Sequence, residues 1–429
     1  MTVAANPLPR AVFLHPNDGC LTVARALVGR GVEVHFLASP STTHVLASRK
    51  VTGRVLPDPR QDPTAWTAEL GELAATGGGV VICGSDAASE WVSANRAHLP
   101  ASMRTFESTD GVHAAVMDKR RLYEMAAEIG VRAPWMHLVS THGELAARAA
   151  EVTYPCVLKA TLSHVARAAV GHGTIEVTSR TELLERAGAL LDHGIDVLLT
   201  EVVPGPETDL ESAVTIRAAD GSYPLEYTRS KVRQWPPDYG VGSVMESRRL
   251  PGTLAMNREL LDHAGFVGVS ACETKRHSGN GELYLIEINV RVPNGYGLSD
   301  AMGVDGSWRL YSAAAGLPLG RQPPQVDGRK AIFPDIEFRA AAARIRAGDQ
   351  TRLEVLRSYR GARNFGLVSL RDPGPAFAMF GGMVKRRITR IARERWSRLR
   401  GRQASIPAAE VSTPVTQHTT EPGDARRTA

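Results

Sequence analysis

The N-terminal part of the chain combines short apolar segments with one amphipathic segment, in an order that restricts the fold strongly. AVFLH (11–15) is typical of a buried strand, and after the turn NDG the segment CLTVARALVGRG has the apolar spacing of a helix. A second strand is predicted at VEVHFLA, and another within GGGVVICGSD (77–86). A strand–helix–strand order indicates a parallel sheet. Residues 1–115 are therefore predicted to form a Rossmann-like domain, although its first turn lacks the GxGxxG pattern of dinucleotide-binding domains.

Further helices and strands are predicted after this domain. Helical periodicity runs from Met117 to Gly130 and again over SRTELLERAGALLDHG. Strands are predicted at YPCVLKA, TIEV, VLLTEVV, SAVTIRA, YPLEYTR, VGVSACETK and LYLIEINVR. The last two are separated by RHSGNG, which is typical of a hairpin turn.

The segment ELYLIEINVR gives the strongest functional signal. Because alternate side chains of a strand share a face, Glu287, Asn289 and Arg291 are predicted to point the same way. Leu283 and Leu285 would share that face, so it is predicted to be only partly exposed to solvent. The opposite face is predicted to bury Ile286, Ile288 and Val290. Two oxygen-bearing side chains followed by a guanidinium suit a divalent cation and a phosphate, whereas the alternative is a surface hairpin with a solvated polar face.

The preceding strand adds a second carboxylate to this pattern. Glu273 and Lys275 are two residues apart and are predicted to share a face. A hairpin would bring Glu273 close to Glu287, giving a carboxylate pair that can hold Mg²⁺ together with substrate phosphates.

Lys159 stands at the end of the apolar strand YPCVLK and precedes a loop that contains Gly171 and Gly173. A lysine there can reach nucleotide phosphates as a point charge, and the glycines let backbone N–H groups approach them. The alternative is a lysine that extends from a strand end into solvent.

Two further segments are candidates for ligand contacts. In EVVPGPETDL, the backbone of Glu201, Val202 and Val203 could pair with an adenine edge, and Glu207 or Asp209 could take ribose hydroxyls; the alternative is a turn with solvated acids. In SKVRQW, Lys231 and Arg233 are predicted to share a strand face, which fits either anion recognition or a charged edge strand.

The order of these residues resembles the ATP-grasp superfamily, in particular its carboxylate–amine ligase branch. MDKRRLYEMAAEIGVRAP is similar to the D-K…G-V-x-x-P start of that family, PCVLK to its first phosphate-binding strand and EVVPG to its adenine hinge. ETK with EINVR is similar to its metal motif, E…E-x-N-x-R, which is the most specific of these elements. The loop after Lys159 departs from the pattern, because it carries His164, Arg167 and His172 instead of a lysine.

The resemblance implies an α/β and α+β fold in which a Rossmann-like domain precedes a two-subdomain ATP-grasp core. The implied boundaries are 1–115 for the first domain, 116–200 and 201–320 for the two subdomains, 321–402 for a basic C-terminal extension and 403–429 for a disordered tail.

The resemblance also implies ligand-binding roles. ATP would be bound by Lys119, Lys159, Gly171, Gly173, Glu201, Val202, Val203, Lys275 and one of the acids Glu207 and Asp209. Mg²⁺, or Mn²⁺ in its place, would be held by Glu273, Glu287 and Asn289. Arg291 would stabilise the oxyanion of a tetrahedral intermediate, and Lys231 and Arg233 would hold the substrate carboxylate.

The implied reaction joins a small carboxylic acid to an amine, one of which could be an amino acid, through an acyl phosphate, with release of ADP and phosphate. An ATP-grasp kinase, a carboxylate–thiol ligase and a non-catalytic ATP-binding protein share the same nucleotide residues and are the alternatives. The sequence does not specify the acid, the amine or the oligomeric state.

Charge and composition limit the partners and the location of the chain. The net charge is +6, but Lys385–Arg402 contains nine Lys or Arg and one Glu, so the rest is nearly neutral and no nucleic-acid partner is expected. Residues 377–402 are predicted to form a basic amphipathic helix, either on an anionic membrane surface or packed with a solvated basic face.

The remaining composition is typical of a globular protein. No apolar run approaches the roughly 18 residues of a membrane span and no signal-peptide pattern is present, so a cytoplasmic location is predicted, with peripheral contact at the inner membrane surface as the alternative. The four cysteines have neither CxxC nor zinc-site spacing and are predicted to be reduced thiols, mostly buried: Cys20, Cys83, Cys156 and Cys272.

Overall fold

The computed structural model describes residues 8–160 and 174–385, apart from Thr109 and Asp238, together with residues 387 and 389. The chain separates into two compact units, residues 1–378 and 379–429. All strands named below belong to the first unit. Gly171 and Gly173, which were predicted to contact phosphates, lie outside the described residues.

The N-terminal domain is built on a five-stranded parallel sheet. Its strands are β1 (Ala11–Leu14), β2 (Val34–Ala38), β3 (Thr52–Val55), β4 (Gly79–Cys83) and β5 (Met103–Arg104). The order is β3-β2-β1-β4-β5, and each neighbouring pair is parallel. The helices are α1 (Asp18–Val28), α2 (Pro63–Ala75) and α3 (Asp86–Asn95), and α4 (Val112–Met117) and α5 (Lys119–Glu128) follow. This is the Rossmann-like arrangement that the sequence predicts.

A four-stranded antiparallel sheet comes next. It contains β6 (Met136–Val139), β7 (Cys156–Ala160), β8 (Thr174–Val177) and β9 (Val197–Glu201), in the order β6-β9-β7-β8. Two helices, α6 (His142–Glu151) and α7 (Arg180–Asp192), share one apolar core with the sheet. The N-cap side chains Thr141 and Ser179 begin these helices by accepting hydrogen bonds from Glu144 N and Glu182 N.

The largest sheet has seven strands. These are β10 (Leu210–Arg217), β11 (Leu225–Trp235), β12 (Val241–Ser247), β13 (Gly268–Arg276), β14 (Leu283–Asn289), β15 (Lys330–Ile332) and β16 (Ala362–Asn364), in the order β14-β13-β10-β11-β12-β15-β16. The helices in this part of the chain are α8 (Pro251–His263), α9 (Leu298–Ala301), α10 (Gly306–Ala315), α11 (Pro334–Ala347) and α12 (Arg352–Ser358). The structure also contains three 3₁₀ turns: Thr43–Ala47, Arg96–His98 and Glu207–Asp209.

The predicted boundary at residue 320 does not coincide with the edge of this sheet. β15 pairs with β12, and β16 pairs with β15, so residues 330–364 continue the sheet of the preceding subdomain. The part of the predicted extension up to residue 364 is therefore continuous with the preceding subdomain. The short strands β15 and β16 were missed because three residues are too few to show an apolar period.

Helix α5 packs on the seven-stranded sheet. Leu122 and Ala126 share an apolar core with Leu285 and Ile288 of β14. The hydroxyl of Tyr123 donates a hydrogen bond to the carbonyl of Ile286 at 3.0 Å. Helix α5 therefore holds its first residue, Lys119, above the strand that carries the predicted metal ligands.

The predicted basic helix at 377–402 lies mostly outside the described residues, and residues 379–385 of the second unit are helical. Within the described part of the chain, none of the helices has the length and apolar character required to span a bilayer. The four cysteines are buried and unpaired by disulfides, as predicted.

Candidate functional site

A cleft with a cavity volume of about 320 Å³ is lined by residues of α5, of the four-stranded sheet and of the seven-stranded sheet. The predicted site residues that line it are Lys119, Lys159, Glu201, Val202, Val203, Lys231, Glu273, Lys275, Glu287, Asn289 and Arg291. Residues that are distant in sequence therefore meet in one place.

The centre of the cleft is a pair of carboxylates on neighbouring strands. Glu273 of β13 lies directly opposite Glu287 of β14 in the antiparallel register. Lys119 Nζ is 3.1 Å from Glu287 Oε2, and Lys231 Nζ is 3.0 Å from Glu273 Oε1. Asn289 Nδ2 donates to Glu287 Oε1 at 3.1 Å. Two carboxylates and an amide oxygen are a ligand set that Mg²⁺ accepts when phosphates and water complete its shell.

The charge state of Glu287 follows from these neighbours. Burial alone would favour the protonated carboxyl group, but the charge of Lys119 and the hydrogen bond from Asn289 lower the pKa of Glu287 to about 2. The carboxylate is therefore ionised at neutral pH and able to bind a cation. Among the described residues there is no cluster of three or more His, Cys, Asp or Glu side chains that would form a metal cage of its own.

A β-bulge changes the predicted faces of β14. The register shifts between Glu273 and Thr274, so that Thr274 is opposite Leu285 instead of Ile286. Leu285 is consequently in the apolar core, and Ile286 lines the cleft. The prediction that Leu285 shares the face of Glu287 and that Ile286 is in the core is wrong, because strict alternation fails at the bulge.

Lys159 of β7 lines the cleft opposite the carboxylate pair. Burial, and secondarily the charge of Lys119, lowers the pKa of Lys159, while Glu287 and Glu273 oppose that shift. Two lysine charges that face each other across a cleft suit a polyanion, because a bound phosphate would relieve their repulsion.

The lowered pKa of Lys159 predicts two pH dependences of opposite sign. Deprotonation of Lys159 should weaken MgADP binding at a pH below the usual lysine range. Between the lowered pKa of Lys159 in the folded protein and its ordinary pKa in the unfolded chain, the unfolded chain binds more protons than the folded, ligand-free protein. The free energy of unfolding should therefore rise with pH over this range. Calorimetric titration with MgADP and denaturant unfolding between about pH 7 and 10 would measure both trends. If the Lys159→Met variant shows the same two pH profiles as the wild type, Lys159 is not their source.

The hinge after β9 lies partly on the cleft. Glu201, Val202 and Val203 line it, and Glu201 Oε2 accepts a hydrogen bond from the Trp135 amide at 3.2 Å. Among the backbone hydrogen bonds described outside helices and strands, none is made by the amides of Val202 or Val203. These groups could therefore pair with a ligand edge.

The acids beyond the hinge are placed differently from the prediction. Neither Glu207 nor Asp209 is among the described residues that line the cleft. Glu207 Oε2 lies 3.0 Å from Arg344 Nη2, with only 8% of its side chain exposed. The predicted ribose contact by Glu207 is therefore not supported, because Arg344 of α11 pairs with its carboxylate, and Asp209 does not line the described cleft.

Arg291 connects the cleft to the N-terminal domain. Its Nη2 donates to Asn289 Oδ1 at 3.2 Å, and its Nε lies 3.0 Å from Asp86 Oδ1 at the start of α3. The following residue is held on both sides, because the Val292 amide donates to the Cys83 carbonyl and Asn17 Nδ2 donates to the Val292 carbonyl at 2.7 Å. A second cavity, of about 640 Å³, lies at the carboxyl edge of the parallel sheet and shares Arg291 and Asn294 with the cleft.

Arg233 does not share the face of Lys231. The register of β11 against β12 shifts between these two residues, so a bulge turns Arg233 away from the cleft. Its side chain is fully buried, with Nη2 2.8 Å from Glu337 Oε1 and 2.8 Å from Ser358 Oγ. The prediction that Arg233 holds the substrate carboxylate is wrong, because a buried ion pair occupies its guanidinium.

Arg229 is a cleft residue that the sequence analysis missed. It precedes Lys231 by two residues on β11, and both side chains line the cleft. The alternation of side chains along a strand, from which Lys231 and Arg233 were predicted to share a face, also predicts that Arg229 shares the face of Lys231. Arg229 could therefore have been found by the same reasoning.

A parallel five-stranded sheet, followed by a four-stranded and a seven-stranded sheet that together line one cleft, forms an ATP-grasp-type fold preceded by a Rossmann-like domain, and the predicted fold class is confirmed. No protein-family model and no curated protein sequence matches the chain. The fold is nevertheless shared with solved structures.

The chain is similar to an N5-carboxyaminoimidazole ribonucleotide synthetase in complex with ADP, with a TM-score of 0.59 and 18% identity over 76% of this chain and 82% of that chain. The same enzyme from Thermus thermophilus gives 0.57 and 21%, covering 74% and 81%. An L-amino acid ligase from Bacillus licheniformis gives 0.55 and 16%, covering 72% and 75%. At these identities the likeness concerns the fold.

Proposed function

We propose that the protein is an ATP- and Mg²⁺-dependent ligase that activates a carboxylate as an acyl phosphate and transfers the acyl group to an amine. The observation that carries the proposal is the pairing of Glu273 with Glu287 in one cleft, flanked by Lys119 and Lys159. Each carboxylate is charge-balanced by a lysine ammonium group about 3 Å away. A divalent cation can take over that balance and release Lys119 and Lys231 for anionic ligands.

Mg²⁺ would be held by Glu273, Glu287 and the amide oxygen of Asn289, which are hard oxygen donors on adjacent strands. Bound there, the ion would offset charge on the transferred phosphoryl group. Lys119 and Lys159 neutralise the remaining phosphate charge, and the backbone of Glu201 to Val203 holds the adenine edge. Lys275, which lines the same wall as Glu273, completes the nucleotide contacts.

The reaction needs positioning and charge stabilisation more than a covalent protein nucleophile. An oxygen of the substrate carboxylate attacks the γ-phosphorus, and the bond to the β-γ bridging oxygen of ATP breaks to give ADP. The amine nitrogen, in its neutral form, then attacks the acyl carbon; phosphate leaves and the nitrogen loses a proton to solvent. Arg291, beside Asn289, stabilises the oxyanion formed in that second step, and Lys231 orients the carboxylate.

A screen for ADP release over carboxylic acids and amines tests this function, with hydroxylamine as a trapping nucleophile. An acyl phosphate reacts with hydroxylamine to give a hydroxamate, so hydroxamate should form in the absence of any amine and in proportion to ADP. A kinase that phosphorylates a hydroxyl group would release ADP without hydroxamate. A thiol ligase would form hydroxamate but release ADP faster with thiols than with amines. Absence of both nucleotide binding and ADP release would contradict the proposal.

A further inference from the structure

Arg229 is a buried cation on the wall of the cleft. Its exposed fraction is 4%, and no hydrogen-bond acceptor among the described residues reaches its Nε or Nη1. Burial lowers the pKa of its guanidinium, which shows that the surroundings disfavour the charge. An unpaired buried charge costs much more than a paired one, so a side chain of this kind fits a site that an anion enters.

The carboxylates nearby are engaged elsewhere. Glu273 is the acid whose charge acts on Arg229, but its Oε1 is 3.0 Å from Lys231 Nζ. Glu287 is paired with Lys119. Once Mg²⁺ and nucleotide occupy those acids, Arg229 would still have no protein anion of its own within the described cleft.

The sheet separates Arg229 from the metal ligands by a defined distance. Glu287, Glu273, Ser212 and Arg229 are successive partners across β14, β13, β10 and β11. At about 4.8 Å per strand, the Cα of Arg229 is about 10 Å from that of Glu273 and about 14 Å from that of Glu287. Glu287, Glu273 and Arg229 all line the cleft, so the row runs from its metal end to a cationic end.

The guanidinium of Arg229 packs against a backbone segment of the cleft wall. A Cβ at Gly295 would overlap its Nη1, so the group packs against the loop that follows Arg291. Pro293 and Asn294 of that loop line the cleft. Arg291, in contrast, touches Asn289 and so lies beside the metal ligands. The two guanidinium groups of the cleft therefore have different neighbours, since Arg291 is bound to Asn289 and Arg229 packs at Gly295.

We propose that Arg229 binds a second anionic group of the acid substrate, one that is not phosphorylated, and that the substrate is therefore a dicarboxylic acid. This rests on the proposed function: the reacting carboxylate lies at the end with Glu273, Glu287 and Arg291, and the other carboxylate reaches Arg229. A guanidinium recognises a carboxylate through two parallel hydrogen bonds, which also selects against acids that end in a methyl group.

The test uses matched acids and matched variants in the presence of MgADP. Glutarate and adipate are compared with pentanoate and hexanoate, their methyl-ended counterparts, by thermal shift and calorimetry, in the wild type, Arg229→Met and Arg229→Lys. Arg309→Met is the control, because Arg309 is similarly buried at 6% but donates to the Pro224 and Gly320 carbonyls at 2.7 and 2.9 Å. The wild type should bind a dicarboxylate about ten- to a hundredfold more tightly than Arg229→Met does, with Arg229→Lys between them.

Stability gives an independent readout. Without ligand, Arg229→Met should melt at the same temperature as the wild type or higher, because an unpaired buried charge is removed, whereas Arg309→Met should melt lower. Equal dicarboxylate binding in wild type and Arg229→Met, including no binding in either, overturns the inference. A lower melting temperature for Arg229→Met also overturns it, because Arg229 would then be held by protein contacts.

Failure of this inference is distinguishable from failure of the proposed function. MgADP affinity does not depend on Arg229 in this scheme and should be within about twofold of wild type in Arg229→Met, a difference under about 0.5 kcal/mol. If the wild type does not bind MgADP, the proposed function itself is wrong. If MgADP binds normally and the dicarboxylates show no dependence on Arg229, only the assignment of the second anionic group is wrong.

Discussion

Glu287→Gln should reduce ATP-dependent turnover by about a hundredfold or more, which corresponds to about 3 kcal/mol of lost transition-state stabilisation. The substitution keeps the shape of the side chain but removes one of the two charges that would bind Mg²⁺. It also leaves Lys119 without the carboxylate that lies 3.1 Å from it. Lys119 should then repel the cation, so the apparent Mg²⁺ requirement should rise together with the loss of rate.

A matched control lies on the same hairpin outside the cleft. Glu282 directly precedes β14 and forms a surface ion pair with Arg132 at 3.0 Å. Glu282→Gln should retain wild-type turnover and Mg²⁺ dependence, because an exposed ion pair contributes little. Initial rates of ADP release at several Mg²⁺ concentrations measure both variants. Equal loss in the two would mean that the hairpin is sensitive for structural reasons, and no loss in Glu287→Gln would mean that Glu287 is not a metal ligand.

Glu337→Gln should lower the free energy of unfolding by about 3 kcal/mol, because it removes the charge that compensates a fully buried guanidinium. Arg233 is 0% exposed, and its Nε and Nη2 lie 2.9 and 2.8 Å from Glu337 Oε1. Glu337 also accepts hydrogen bonds from Ser243 Oγ and Tyr359 OH at 2.7 Å each. This network ties α11 to β11 and β12, the strands next to the cleft.

Denaturant unfolding of Glu337→Gln and of Asp349→Asn gives the comparison. Asp349 pairs with Arg344 at 3.0 Å but is 49% exposed, so its loss should cost less than about 1 kcal/mol. MgADP binding by folded Glu337→Gln should be unchanged, since Glu337 does not line the described cleft. If Glu337→Gln unfolds with the wild-type free energy but binds carboxylic acids more weakly, Arg233 would be a substrate-binding residue. That result would contradict its structural role.

Much of the fold could be predicted because its signals are local. β1, α1, β2 and β4 follow apolar runs, glycine turns and a helical period that a short window contains. The turn sequence between the two apolar strands β13 and β14 predicts a hairpin, and the hairpin in turn predicts that Glu273 and Glu287 lie close together. The site residues on regular strand segments were placed for the same reason.

The errors arise where geometry depends on neighbouring strands. One extra residue in β14 moves Leu285 into the core and Ile286 into the cleft, and another in β11 turns Arg233 away. A bulge is set by pairing with a partner strand, so a single strand's alternation does not reveal it. Glu207 was misplaced for a related reason, because its partner Arg344 is more than a hundred residues away.

The proposed ligase requires a divalent cation bound between Glu273 and Glu287, and locating the ion tests that requirement most directly. Crystals grown with ADP and Mn²⁺, which scatters anomalously, would show its position. We expect an anomalous peak within about 2.3 Å of carboxylate oxygens of both residues and in contact with the ADP phosphates. A peak elsewhere, or ADP bound outside the cleft lined by Lys119 and Lys159, would contradict the account.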